Sequence, residues 1–90
     1  MENGVHIIVK GIVQGVGFRY YVYNFATKLG LSGFVQNLFD GSVEIEAYGE
    51  RSLLEELIKA VKIGPRTAHV TEMNIKWIEY KKDYKYFEII

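Results

Sequence analysis

A segment near the start of the chain combines residue types that together could bind an anion. Residues 11–19 read GIVQGVGFR. Glycines at 15 and 17 allow successive backbone N–H groups to converge on one point, which is a common anion-binding arrangement. Arg19 adds a planar cation with several hydrogen-bond donors at the same place. The segment therefore predicts a cradle for a phosphate or carboxylate group that requires no metal ion.

The glycine spacing does not match the two best-known phosphate loops. A Walker loop requires Gly-Lys followed by Ser or Thr, whereas Gly17 is followed by Phe18 and Arg19. A dinucleotide fingerprint requires a third glycine at the position of Tyr20. On spacing alone, the segment also fits a plain turn between a strand and a helix that carries a surface arginine.

A second segment with chemical potential is residues 31–44, which read LSGFVQNLFDGSVE. The side-chain amide of Asn37 could accept a hydrogen bond from a water molecule and donate one to an oxyanion. It could thus orient a nucleophile without acting as a base. Taken alone, Asn37 could equally serve only to shape a hairpin.

The elements that must position these residues begin with a strand, a loop and a helix. Val5–Val13 is rich in Val and Ile, which predicts a strand. Gln14–Arg19 contains two glycines and predicts a tight loop. Apolar residues at positions 18, 22, 25, 26 and 29 predict one face of a helix that Gly30 ends.

A hairpin is predicted to follow this helix. Gly33–Phe39 and Ser42–Tyr48 are extended runs joined by Asp40-Gly41. An Asp-Gly pair between two such runs favours a tight turn in which both central residues have positive φ. In a split β-α-β sheet, this hairpin is expected to place Asn37 near the mouth of the glycine loop.

The second half of the chain predicts a helix and two more strands. Ser52 with Glu55 three residues later indicates a capping box, and Gly64-Pro65 is expected to end the helix. Alternation from Met73 to Trp77 predicts a fourth strand, and Phe87 with Ile89 a short fifth one. The apolar stripe of the helix consists of Leu53, Leu54, Leu57, Ile58 and Val61.

The order of these elements is typical of an α+β, ferredoxin-like split β-α-β sandwich, written βαββαβ plus a short C-terminal strand. We expect an antiparallel sheet with both helices on one face and the other face open to solvent. Residues 1–90 are expected to form one domain. This fold hosts many unrelated activities, so function must be argued from the residues.

Composition excludes several function classes. The chain has 90 residues, of which 49% are hydrophobic, and its 11 basic residues balance 11 acidic ones. A net charge of zero argues against a general nucleic-acid binder, which needs a basic surface. The absence of cysteine excludes disulfides, thiolate metal sites and cysteine nucleophiles. No secretory signal is visible, and the longest apolar or aromatic run, Tyr20–Tyr23, is far below the roughly 20 residues of a membrane span. A cytoplasmic protein without a membrane partner is therefore expected.

Other candidate groups fit less demanding roles. His6 and His69 do not lie near a Ser or Asp in a triad-like pattern, and a partly exposed position is expected for each. Glu44 and Glu46 share one face of a strand, where a carboxylate pair or metal site is conceivable. The solvated open face of the sheet is the favoured interpretation.

An RNA-recognition module shares the same order of strands and helices. Such modules carry stacking aromatics and basic groups on their middle strands. Here Ser42–Tyr48 carries Glu44 and Glu46, and Tyr48 alone is not a stacking platform. No nucleic-acid partner is expected.

Together, the segments closely resemble the acylphosphatase family. The matching patterns are G-x-VQGVGFR from residue 11, A-x-x-LGL-x-G-x-V-x-N from residue 26, DG-x-VE from residue 40, GP-x-x-A-x-V from residue 64 and F-x-I from residue 87. The resemblance covers nearly the whole chain, and the combined pattern is highly specific. Phe34, where the family often has Trp, and Phe39 before the Asp-Gly turn are peripheral departures.

The resemblance implies a hydrolase that converts an acyl phosphate to a carboxylate and inorganic phosphate without a metal or other cofactor. It implies Arg19 as the phosphate-binding arginine and Asn37 as the residue that orients the attacking water. The expected partners are a small acyl phosphate and, in the loop, inorganic phosphate or another anion, with the protein a monomer. The implied substrate-binding residues are Gln14, Gly15, Val16, Gly17, Phe18 and Arg19.

A third possibility is a domain that binds without turnover. The resemblance extends to the acylphosphatase-like domain at the front of larger carbamoyl-transferring maturation proteins. Because Arg19 and Asn37 are both present, the enzyme is favoured over this alternative.

Overall fold

Strands and helices follow one another along the chain in the predicted order. The structure is a computed structural model that describes residues 1–90. Its elements are β1 (Glu2–Ile12), α1 (Phe18–Lys28), β2 (Ser32–Asn37), β3 (Val43–Glu50), α2 (Arg51–Ile63), β4 (His69–Ile78) and β5 (Phe87–Ile89). The strands form one sheet in the order β4-β1-β3-β2-β5, which confirms the ferredoxin-like α+β class. Neither helix is long and apolar enough to cross a membrane.

The sheet is mixed, whereas the sequence predicted an antiparallel one. β1 pairs antiparallel with β3 and β4, and β2 pairs antiparallel with β3. β5, however, runs parallel to β2, with Gly33 opposite Phe87. The reason is the connection 79–86, which carries the chain from β4 at one edge of the sheet to β5 at the other.

The hydrophobic core lies between the helices and one face of the sheet. Successive side chains of a strand point to opposite faces, so alternate residues of β1 and β3 face the helices. Apolar residues at every third or fourth position of α1 and α2 close the core from above. Its fully buried members include Val5, Ile7, Val9, Val43, Ile45, Ala47, Val22, Leu54 and Leu57.

The loop between β2 and β3 differs from the predicted tight turn. It spans residues 38–42 and is closed by a hydrogen bond from Leu38 N to Ser42 O of 2.9 Å. Only Gly41 has positive φ, at 94°, so the prediction of two positive-φ residues is wrong. The carboxylate of Asp40 instead accepts a hydrogen bond from Ser42 N at 2.9 Å and another from the Ser42 hydroxyl, which stabilises the wider loop.

The predicted capping box at the start of α2 is also wrong. β3 continues directly into the helix, so the N-cap is Glu50 and Ser52 lies inside the first turn. No side chain caps this end. The amide of Arg51 is instead satisfied by the carbonyl oxygen of Met1 at 3.0 Å, because β1 starts beside the end of β3.

The second face of the sheet is partly covered, although it was predicted to be open. Tyr48, on β3, is only 1% exposed because the connection 79–86 passes over it. The ring of Tyr84 stacks on Tyr48 with 5.8 Å between centroids and also contacts Phe34 at 5.9 Å, while Tyr80 meets the edge of Tyr48 at 6.3 Å. Tyr48 is therefore a packing residue and offers no surface on which a base could stack.

Beyond these tyrosines, the same face carries a small polar cluster. The carboxylate of Glu44 accepts hydrogen bonds from His6 Nε2 at 2.8 Å and from Gln36 Nε2 at 2.6 Å. The bond from His6 is the main reason that the pKa of Glu44 is lowered. Glu44 is thus engaged with neighbouring strands rather than freely solvated.

This cluster makes the stability of the protein dependent on pH. A carboxyl group with a lowered pKa contributes stability above its unfolded-state value of about 4.3, and the contribution is lost as the pH falls through the folded-state pKa. His6→Ala is therefore expected to lower the free energy of unfolding by about 1–2 kcal/mol at pH 7 and by much less at pH 3. Urea unfolding at pH 7, 5 and 3 measures both values. In a Glu44→Gln background the effect of His6→Ala should no longer change with pH, and an equally large pH-dependent loss there would contradict the assignment.

Candidate active site

The loop after β1 owes its shape to two glycines in the left-handed region. Gly15 has φ of 72° and Gly17 has φ of 77°. A Cβ atom at either position would meet no other atom within 4 Å, so conformation rather than space requires glycine here. Other L-residues pay about 1–2 kcal/mol for this conformation. Alternation of such residues with ordinary ones is the backbone geometry that gathers N–H groups around an anion.

The loop leads directly into the N-terminus of α1. Gly17 is the N-cap, no side chain caps this end, and the first turn contains no acidic residue. The first amide groups of a helix lack intrahelical partners and carry a partial positive charge. The ring of Phe18 is buried in the core and fixes this end of the helix. Only the backbone of Phe18 is therefore available to a ligand.

The side chain of Gln14 attaches the loop to the neighbouring connection between β2 and β3. Its Nε2 atom donates to Leu38 O at 2.7 Å and to Ser42 O at 2.8 Å. This nitrogen is thus bound to the protein. The predicted contact of Gln14 with substrate would have to come from its backbone N–H. The two bonds place the glycine loop beside the end of β2.

Asn37 is the last residue of β2 and faces this junction. Its Oδ1 atom is buried and accepts no hydrogen bond from any protein group. Buried polar atoms are nearly always hydrogen-bonded, so an acceptor of this kind is suited to a water molecule or ligand. Asn37 lines a cavity of about 430 Å³ together with Gln14, Gln36, Leu38 and Phe39.

Arg19 lies in the first turn of α1 and is partly exposed. Its Nη1 atom donates to the carbonyl oxygen of Ile90 at 3.3 Å, and most of its donors remain free. Ile90 N in turn donates to Val35 O at 2.9 Å. Val35 precedes Asn37 by two residues, which is about 7 Å along a strand. Arg19 therefore lies on the β2 side of the loop, although it does not line the cavity that contains Asn37.

Charged groups around the loop are few. Hydrogen bonds from the hydroxyl and amide of Ser42 hold the carboxylate of Asp40 within the loop between β2 and β3. The same bonds lower the pKa of Asp40. Lys10 lies close enough to lower it further. Arg19 is the cation at the helix N-terminus, and its positive charge is not cancelled by an ion pair.

Two contacts of the site have no signal in the sequence. Thr67 Oγ1 donates to Val16 O at 2.6 Å, and Ile90 receives the hydrogen bond from Arg19. Both partners lie more than 50 residues from the loop in sequence. The pattern GP-x-x-A-x-V marks the turn that carries Thr67, but it contains no information about which residue the hydroxyl would meet.

Comparison with known proteins gives a consistent result. The sequence profile of the acylphosphatase family matches residues 5–89. The acylphosphatase of Caldanaerobacter subterraneus subsp. tengcongensis is 48% identical over 89 residues, which cover 99% of each chain. The crystal structure of acylphosphatase from Bacillus subtilis superposes with a TM-score of 0.94 at 40% identity and covers 100% of this chain and 99% of that one.

The same fold also occurs as a small part of a longer protein. Full-length HypF, in its phosphate- and nucleotide-bound form, contains a segment that superposes with a TM-score of 0.87 at 34% identity. The match covers 100% of this chain but only 12% of that one. Because the family profile spans nearly all of the sequence and the similar acylphosphatases match it from end to end, the chain belongs to the acylphosphatase family, enzymes that hydrolyse acyl phosphates.

Proposed function

We propose that residues 1–90 act as one domain that hydrolyses acyl phosphates without a metal ion. In this proposal the phosphoryl group binds to the loop of residues 14–19 and to Arg19, and Asn37 orients the attacking water. The observation that carries the proposal is the buried, unpartnered Oδ1 atom of Asn37 beside the glycine loop.

The loop and Arg19 supply the electrostatic part of the mechanism. Charge spreads over three oxygens of the phosphoryl group in the transition state. The glycines at 15 and 17 allow the backbone N–H groups between Gly15 and Arg19 to converge, and the start of α1 and the bond from Thr67 to Val16 O hold them, so they need not reorganise during the reaction. The free guanidinium donors of Arg19 add positive charge on the β2 side of the loop.

Asn37 supplies the alignment. Its Oδ1 atom can accept a hydrogen bond from a water molecule and so direct the oxygen lone pair of that water at phosphorus. A side-chain amide is not a base at neutral pH, so its contribution is orientation rather than proton removal. Gln14 holds the loop against the end of β2, where Asn37 lies. It thus fixes the position of the phosphate loop relative to Asn37.

The reaction itself requires no strong acid or base. The water oxygen forms a new bond to phosphorus while the bond from phosphorus to the acyl oxygen breaks in line with it. The electron pair of that bond leaves with the carboxylate, which is a stable anion and a good leaving group. One proton of the water stays on the phosphate product and the other passes to phosphate or solvent.

The proposal is tested by steady-state hydrolysis of benzoyl phosphate by the wild-type chain in excess EDTA. We expect saturable turnover that EDTA does not reduce and that inorganic phosphate inhibits competitively. Turnover that disappears with EDTA and returns with Mg²⁺ would contradict the metal-free part. Phosphate binding without any turnover would favour a binding domain, such as the segment with this fold within HypF, over an enzyme.

A further inference from the structure

The connection between α2 and β4 contains a pattern that the proposed mechanism does not use. Residues 64–70 read GPRTAHV, and the hydroxyl of Thr67 donates to the carbonyl oxygen of Val16 at 2.6 Å. Val16 lies between the two positive-φ glycines of the phosphate loop. The bond therefore joins the phosphate loop to the turn between α2 and β4. This turn makes no hydrogen bond to any other proposed substrate-binding residue.

Thr67 is carried on a well-fixed turn. Ala68 N donates to Pro65 O at 3.0 Å, and Gly64 N donates to Ala60 O at 2.9 Å, which ties the turn to the end of α2. Gly64 is buried against the core, where an added Cβ would lie 3.3 Å from the ring of Phe18. The hydroxyl of Thr67 thus comes from a turn that is anchored to the end of α2 and to the core.

The direction of this bond determines where the next amide group points. All peptide bonds of the chain are trans, so the carbonyl of Val16 and the N–H of Gly17 point in opposite directions. Thr67 lies two residues before β4, which borders β1 on one side, whereas β3 and β2 lie on the other side of β1. The Val16 carbonyl points toward Thr67, so the Gly17 N–H points away from the turn that carries Thr67.

We infer that Thr67 is a positioning residue for phosphate binding, which selects the peptide orientation that aims the Gly17 N–H at the phosphoryl group. Glycines on both sides of Val16 leave this peptide free to rotate unless its carbonyl is held. A hydrogen bond to the carbonyl also polarises the peptide and strengthens its N–H as a donor. The inference rests on the proposed function because the bound phosphoryl group is the one named there.

The test compares Thr67→Val, which keeps the shape of the side chain but removes the hydroxyl, with Thr67→Ser, which keeps the hydroxyl. Thr71→Val is a matched control on β4, where the hydroxyl makes no hydrogen bond to the protein. Inorganic phosphate is titrated against each folded variant while the amide resonance of Gly17 is followed by NMR. Loss of one hydrogen bond predicts about fivefold weaker phosphate binding for Thr67→Val and less than about twofold change for the other two.

Turnover of benzoyl phosphate gives a second measurement. Thr67→Val should lower kcat/KM by a similar factor of about five, leave its pH profile unchanged, and recover with serine. Phosphate affinity in Thr67→Val equal to that of wild type, or a loss that serine does not restore, would overturn the inference. If the wild type binds phosphate but does not turn over, the proposed function fails while the comparison of phosphate affinities still decides the role of Thr67. A wild type whose Gly17 resonance does not respond to phosphate overturns the inference directly.

Discussion

Arg19→Ala is expected to lower kcat/KM for benzoyl phosphate by about 10³-fold or more. A positioned arginine contributes on the order of 10³–10⁵ to phosphoryl transfer, and the loss of even one preorganised donor costs about 10²–10³. Arg19 is the cation at the helix N-terminus, and its single hydrogen bond to Ile90 leaves most donors for the phosphoryl group. Because Arg19 is proposed to contact the phosphoryl group in both the ground state and the transition state, KM should rise while kcat falls. Steady-state kinetics on the folded variant measures both constants.

The geometry of the guanidinium distinguishes this role from a general effect of charge. Arg19→Lys keeps the charge but not the planar set of donors, so most of the loss should remain. Free guanidinium added to Arg19→Ala should restore part of the activity. Arg51→Ala is a suitable control, since Arg51 packs over Trp77 at 3.8 Å near the opposite end of the sheet. Full activity of Arg19→Lys, or a comparable loss in Arg51→Ala, would contradict the assignment.

Asn37→Ala is expected to lower kcat by about 10²–10³-fold with little change in KM or in the inhibition constant of phosphate. Its side chain is proposed to hold the water and not the phosphoryl group, so ground-state binding should survive its removal. The change also deletes a buried oxygen that has no protein donor. Removing such an atom carries no loss of a protein hydrogen bond. The variant should therefore be at least as stable as wild type in urea unfolding.

Low activity together with unchanged stability is the signature that separates Asn37 from a residue that merely shapes the hairpin. Asn74→Ala, on the exposed strand β4, provides the matched control, and both its kcat and stability should stay close to wild type. A destabilised Asn37→Ala variant whose kcat per folded molecule is normal would assign Asn37 to the hairpin. A large rise in KM would instead place it on the phosphoryl group.

Much of the fold could be predicted because its signals are local. The alternation in β3, the apolar stripe of α2 and the stop at Gly64-Pro65 each depend on neighbouring residues, and the structure confirms all of them. Where the prediction was wrong, a distant part of the chain decided the outcome. Ser52 lost its capping role because β3 runs straight into α2, with Met1 supplying the acceptor for the first amide.

The second face of the sheet and the direction of β5 illustrate the same limit. Residues 79–86 have no periodic pattern, so nothing local indicates that Tyr80 and Tyr84 will pack on Tyr48. The path of this connection across the sheet also makes β5 parallel to β2. Burial there raises the pKa of Tyr48, which alternation alone would have placed in solvent.

In the candidate site, too, local features could be predicted and long-range contacts could not. Its glycines and Arg19 lie within six residues of one another, and their types alone indicate an anion cradle. The proximity of the hairpin could be predicted from the fold, but the individual hydrogen bonds could not, because the partners are the backbone of residues 38 and 42, the hydroxyl of Thr67 and the backbone of Ile90. Hydrogen bonds between remote segments depend on the topology, and no spacing in the sequence reports them.

Remote segments of the chain meet at one end of the sheet, so the protein can acquire activity only late in folding. The loop after β1, the end of β2, the turn before β4 and the residue after β5 must all be in place before the site exists. No single hairpin or helix contains all of these parts. Contacts between distant parts of a chain form slowly. Catalysis should consequently appear only with the last cooperative step of refolding, which makes an enzyme assay a more stringent reporter of the native state than helix content.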